Sequence, residues 1–320
     1  MTNKSIITVG IDTSNYTTSL SIVKDGEVIK NVRRLLPVAE NERGLRQSDA
    51  LFHHTKALPE LLCELFDGTE YKKDDLCAVG VSTRPRNAGG SYMPCFLSGV
   101  SAANAISQSA KIPLYEFSHQ EGHIEAAFYS SDIPKDTKDF ISFHVSGGTT
   151  DIVLCKREKD GNIICERIGG TTDLNAGQAI DRTGVLMGLR FPCGKELDCM
   201  SQSSNAVFGK IKVSVKGLEC SLSGLENKTK AMLLQDAKRE DIAAFLFEYL
   251  STVLSKLTDS LNEAYPSLPV LFAGGVMSNS RIRSNLSKRK NVYFATAALS
   301  ADNACGTALL AYNKFVTENN

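Results

Sequence analysis

Two of the five histidines, His119 and His123, stand four residues apart in the segment SHQEGHIEAA. On a helix, residues i and i+4 share a face, so both imidazoles can ligate one metal ion; the plainer alternative is two ordinary histidines on a helix surface. Spacing excludes two metalloprotease patterns. HExxH needs Glu directly after the first His and HxxEH directly before the second, whereas Glu121 lies two positions from each. A metal also needs a third protein ligand. Asp302, in SADNACGTALLAY beside Asn303, reads locally as the N-cap of a last helix, and nothing nearby ties it to the histidines.

A second group of residues suits anions. The segment STRPRNAGGSYMPCFLSG carries Arg84 and Arg86 beside Gly89 and Gly90. Two guanidinium forks in such a loop can hold a phosphate or carboxylate bidentately, or simply be solvated. Small-polar and glycine-rich turns recur at DTSNYTTS, at VSGGTT (Ser146, Gly147, Gly148, Thr149, Thr150) and at FAGGVMSNS (Gly274, Gly275, Asn279). Glycines at such turns let backbone N–H groups approach a phosphate or nucleoside, and a following helix N-terminus favours anions.

The elements around these residues follow from pattern. IITVGIDTSNYTTSLSIVKDGEVI (6–29) and FISFHVSGGTTDIVLCKREKDGNII (140–164) share one order: apolar strand, polar turn ending in Thr-Thr, apolar strand, Lys-Asp-Gly or similar turn. That shared order predicts an internal duplication. The run 270–286 reads as a short strand, a glycine turn and a helix. Helical spacing of leucines predicts a helix over 47–66 despite Pro59, and a stripe from Ile242 to Leu257 predicts a buried helix over 240–263. A final helix is expected over 303–315. Strands alternating with helices indicate an α/β class. Two similar hairpin turns with a nucleotide between them resemble the actin-like ATPase architecture of sugar kinases and Hsp70. Lobe I is placed at 1–118 and lobe II at 119–302, with the terminal helix 303–320 expected to pack back on lobe I.

Composition narrows the function class. The 320 residues carry 36 Lys+Arg against 36 Asp+Glu, so the formal net charge is zero. A protein that grips nucleic acid alone usually has a basic excess; here Arg33-Arg34, Arg281/Arg283 and Lys288-Arg289-Lys290 are only local clusters. No apolar run approaches the ~18 residues of a membrane span, and no leader is predicted. The nine cysteines are odd in number and never form CxxC, which predicts reduced thiols and a cytoplasmic location.

The ordered set HQEGH, VSGGTT, AGQAIDRTGVLMGL…PCG, SLSGL, AGGVMSN and ADNA resembles the TsaD family of tRNA-modifying proteins, historically described as O-sialoglycoprotein endopeptidases. The resemblance runs from about residue 6 to the C-terminal helix. It implies that His119, His123 and Asp302 hold one divalent metal, iron or zinc. It further implies that Ser146, Gly147, Gly148, Thr149 and Thr150 face phosphate, that Asp181 binds ribose, and that Gly194, Asp198, Gly274, Gly275 and Asn279 line an adenosine pocket. The implied reaction transfers a threonylcarbamoyl group from threonylcarbamoyl-adenylate to N6 of the anticodon-adjacent adenosine of tRNA. The implied partners are tRNA, a TsaB-like paralogue and a TsaE-like ATPase, with a homodimer as the alternative assembly.

The departures are specific. Thr149 stands where the family usually has His, Glu226 where it has Lys, DTSNYTTS where it has ETSCDET, and the Arg84–Gly90 loop where it has a Gly-Pro-Gly segment. They leave two further readings open: a paralogue transferring a carbamoyl-type group to a non-tRNA acceptor, and a scaffold without catalysis.

Overall fold

The structure is a computed structural model of the chain, and it describes residues 5–14, 16–37, 45–71, 75–299 and 303–319. The chain divides into two compact units. The first comprises Met1–Ser130, Lys156–Cys165 and Ala298–Asn320, and the second Ser131–Cys155 and Glu166–Ala297. The first unit therefore takes in His119 and His123, which the sequence reading grouped with lobe II, and it includes the C-terminal helix.

The first unit is built on a five-stranded sheet in the order β3-β2-β1-β4-β5. β1 (Ile7–Ser14) and β2 (Thr17–Lys24) are buried along almost their whole length, as small and apolar central strands should be. β2 and β3 (Glu27–Leu35) are antiparallel and joined by Asp25-Gly26, both at positive φ, the two-residue turn that matches strand twist. β4 (Leu76–Arg84) runs parallel to β1, and β5 (Leu114–Ser118) parallel to β4. Helix α1 (Gln47–Phe66) contains Pro59 yet continues, because Ala50, Ala57, Leu58, Leu61 and Leu65 bury one continuous stripe. Completing the unit are α2 (Phe96–Ala110), α3 (His119–Tyr129) and α9 (Cys305–Asn319).

The second unit holds most of a seven-stranded sheet in the order β12-β11-β6-β7-β8-β10-β9. Its strands are β6 (Asp139–Val145), β7 (Thr150–Arg157), β8 (Ile163–Thr171), β9 (Ser214–Lys216), β10 (Glu219–Ser221), β11 (Val270–Ala273) and β12 (Val292–Phe294). Within it, β8-β7-β6-β11-β12 repeats the order β3-β2-β1-β4-β5, and β6, β11 and β12 are mutually parallel as β1, β4 and β5 are. The paired motifs at 6–29 and 140–164 thus open two sheets of one topology. The core of this unit is organised by α7 (Arg239–Ala264), whose Ile242, Leu246, Leu250, Val253, Leu257 and Leu261 are all buried. The remaining helices are α4 (Ala176–Leu186), α5 (Gly194–Gln202), α6 (Ser223–Leu234) and α8 (Ser280–Leu286). All nine cysteines are free thiols.

Candidate active site

The histidine pair owes its position to the start of α3. Ser118 is the N-cap: its hydroxyl accepts from the Glu121 N–H at 3.2 Å, and the Glu121 carboxylate accepts from the Ser118 N–H. This reciprocal capping box explains a buried glutamate between two histidines, and the Ser118-x-x-Glu121 spacing is its sequence signature. With the helix so begun, the His119 and His123 rings lie edge-to-face at 4.3 Å between centroids.

His119 is held from the sheet. Its Nδ1 lies 2.8 Å from Oδ2 of Asp12, near the end of β1. Burial would push the Asp12 carboxyl up, but the His119 ring, the Ser14 N–H and the Ser82 hydroxyl outweigh it and hold that carboxyl well below the usual range. Asp12 is therefore ionised and can only accept, so Nδ1 of His119 donates a proton to it. A carboxylate behind an imidazole is the usual support of a metal-binding histidine. Its segment, DTSNYTTS, reads from sequence only as a small-polar turn that departs from the family's ETSCDET, and that turn is the one signal for Asp12.

The arginine loop belongs to the same unit. Arg84 ends β4 in register with Ser118, and the Pro85 carbonyl accepts from the Gln120 N–H at 3.0 Å. The Arg84 guanidinium donates to Thr83 Oγ1 at 2.8 Å and to Asn87 Oδ1 at 3.2 Å. The N–H of Arg86 donates to the Ser91 hydroxyl at 3.0 Å.

In the second unit, the Ser146–Thr149 turn between β6 and β7 closes on itself, Ser146 N–H donating to the Thr149 carbonyl at 2.8 Å. The N-terminus of α4 braces it: Gly177 N–H donates to Ser146 O, Ala176 N–H to the Thr150 hydroxyl, and Asn175 Nδ2 to Gly148 O. Gly147 and Gly148 have open space where a side chain would stand. Gly274 comes to the same strand end, at φ 100°, with its backbone against the Val145 carbonyl, so no side chain fits there. Gly275 faces open space.

The other expected nucleotide residues are tied into the framework. Asp181 Oδ1 accepts from the Cys193 N–H at 2.8 Å, beside Gly194 at the start of α5, and burial pushes this carboxyl up. Asp198 Oδ1 accepts from Asn279 Nδ2 at 2.7 Å and from the Ser280 hydroxyl at 3.1 Å, while Asn279 Oδ1 caps α8 at Ile282 N–H. Asp173, which sequence reading passed over, accepts from the Leu174, Leu222 and Ser223 N–H groups and the Ser221 hydroxyl. Although burial opposes them, these donors hold its carboxyl below the usual range. Glu226, the reversed charge, pairs with Arg182 at 3.0 Å. Asp302 lies outside the described residues. Among the described residues no three His, Cys, Asp or Glu side chains cluster as metal ligands, and no helix is long and apolar enough to cross a membrane.

Comparison with known proteins places this arrangement. The family model for TsaD, tRNA N6-adenosine threonylcarbamoyltransferase, matches residues 32–309. A protein of that name from Kosmotoga olearia is 31% identical over 316 residues, covering 96% of this chain and 92% of the relative. Among solved structures, component A of (R)-2-hydroxyglutaryl-CoA dehydratase from Acidaminococcus fermentans superposes with TM-score 0.54 at 18% identity, covering 98% of this chain and 100% of that one. A ROK family glucokinase from Streptomyces griseus does so with TM-score 0.51 at 12% identity, covering 96% and 99%. These likenesses, with the repeated strand order, give the fold as that of the actin-like ATPases. The matched span and the near-full-length relative together show that the chain belongs to the TsaD family of tRNA N6-adenosine threonylcarbamoyltransferases, acyl-transferring enzymes.

Proposed function

We propose that this chain transfers the threonylcarbamoyl group of threonylcarbamoyl-adenylate to N6 of the anticodon-adjacent adenosine in tRNA. The observation that carries the reading is the His119–His123 pair backed by Asp12, in a chain matched to this family over residues 32–309. In the reaction, a bond forms between N6 and the carbamoyl carbon. The bond from that carbon to the phosphate oxygen breaks, AMP leaves with the electron pair, and N6 loses a proton.

The donor set fits a divalent ion such as iron or zinc, because two imidazoles share a helix face and a buried carboxylate directs one of them. His119 and His123 would hold it, with Asp302 as third ligand. When bound, such an ion polarises a carbonyl as a Lewis acid. The second unit would hold the nucleotide. Gly147 and Gly148 leave open space where side chains would stand, room for phosphate oxygens to approach the backbone, and the turn is already braced by α4 before a ligand arrives. Asp181 would accept from ribose hydroxyls through Oδ2, Oδ1 being taken by Cys193. Asp198 would act through Asn279, keeping the Gly274-Gly275 turn in place. A TsaB-like paralogue and a TsaE-like ATPase in the cytoplasm would complete the system and help to hold tRNA.

The test is mass spectrometry of nucleosides from unmodified tRNA incubated with this protein, a donor synthase and the partner proteins. The expected result is N6-threonylcarbamoyladenosine with the wild type and none with His119→Ala. Its absence with the wild type overturns the reading.

A further inference from the structure

We propose that Arg84 recognises the anionic end of the donor, holding its carboxylate or its phosphate beside the histidine pair. The identity of the ligand rests on the donor reading above; the existence of an oxyanion site does not. Register puts Arg84 opposite Ser118, the residue before His119. The chain then turns so that Pro85 caps the Gln120 N–H, one residue beyond His119. At its far end the same loop enters α2, where Phe96 sets its ring 6.3 Å from the His119 ring. There the Cys95 carbonyl accepts from the hydroxyl of Thr13, the neighbour of Asp12. Both ends of the loop are thus fastened around the one pair of side chains, Asp12 and His119.

The guanidinium itself is half-buried and oriented by two neutral groups, Thr83 and Asn87. No carboxylate among the described residues pairs with it, so its charge is uncompensated and part of its donor fork is unassigned. That fork matches the geometry of carboxylate and phosphate oxygens. The loop is ordered by its own bonds, Arg86 N–H to Ser91 Oγ and Ser91 N–H to Ala88 O, and Arg86 adds a second positive charge on its exposed side. Gly89 and Gly90 leave open space above the backbone.

The experiment is calorimetric titration of the full chain with two probes, N-carbamoyl-L-threonine for the carboxylate and AMP for the phosphate. It compares wild type, Arg84→Ala and Arg84→Lys. Arg84→Ala is expected to weaken one probe by about tenfold or more, with partial recovery in Arg84→Lys. Loss confined to the carbamoyl amino acid assigns the carboxylate, and loss confined to AMP the phosphate. Thermal midpoints should match across the three proteins, since among the described residues the Arg84 side chain bonds only to Thr83 and Asn87. Dissociation constants all within about twofold, or no binding of either probe by the wild type, overturn the inference. Arg84-dependent binding without any tRNA product would sink the tRNA reading and leave the anion site standing. Product formed by wild type and Arg84→Ala at equal donor KM would do the reverse.

Discussion

An ionised carboxylate can only accept, so Asp12 obliges His119 to direct a protonated Nδ1 toward it. Removing that obligation should loosen the site without emptying it. Asp12→Asn is expected to weaken metal binding by about 10–100-fold, read as metal content after dialysis against a graded chelator; full retention would show that the carboxylate does not aim the ring. His54 makes a different prediction. It is fully buried, its Nδ1 bonds to Thr18 Oγ1 at 2.8 Å, and its Nε2 has no partner among the described residues. Burial pushes it down to about 4, with His53 adding to the effect and Asp12 opposing it. From its ordinary value of 6.5 down to about 4, the unfolded chain binds a proton that the folded one refuses. Stability therefore falls as pH drops through that window, by about 3 kcal/mol in all. Urea midpoints at neutral and mildly acid pH should converge in His54→Gln; an unchanged gap would place the acid sensitivity elsewhere.

At the scale of elements, several contacts locate α3, and three of them can be broken singly. The capping box is worth about 1 kcal/mol, so Ser118→Ala should lower stability by that amount in denaturant titration. Behind the helix, Gly306 of α9 lies against the Gly122 carbonyl between the two histidines, closer than any side chain permits. Gly306→Ala must displace one helix from the other; a loss of about 1–3 kcal/mol is expected, with reduced metal content. Unchanged stability and metal content would show that the helices separate freely. Further along, buried Glu125 pairs with Arg157 at 2.7 Å, and the guanidinium lies over Phe128 at 4.3 Å. Glu125→Ala leaves a partly buried guanidinium without its carboxylate and should cost less than the ~3 kcal/mol of a fully buried pair, read by denaturant titration.

For the whole molecule, the decisive quantity is charge. With 36 basic against 36 acidic residues, little net field draws a polyanion. The isolated chain is expected to bind tRNA no better than about 1–100 μM at physiological salt, the range of nonspecific contact. Partner proteins should tighten binding by about tenfold or more. Filter binding in both conditions checks this, and tight salt-resistant binding by the chain alone would contradict it. The fold, by contrast, is repetition: one strand order used in each unit, with the candidate residues of the first on strand ends and α3 and those of the second on glycine turns and on α4 and α5.

Much of this was legible from local pattern. The helix expected over 47–66 is α1, the one over 240–263 is α7 to within a residue at each end, and the Asp25-Gly26 turn sits where its residue types require. Such signals depend on neighbours a few positions apart, through helical period, turn chemistry and caps. The histidine spacing was legible for the same reason. What the linear order does not display is that Asp12, Arg84 and His119 converge. β1, β4 and β5 lie side by side in parallel register, so their C-terminal ends, and the loop and helix that follow them, meet at one edge of the sheet. That register is set by burying Ile7, Val9, Ile11, Val79 and Val81 in a common core, a condition satisfied only when the whole unit has folded.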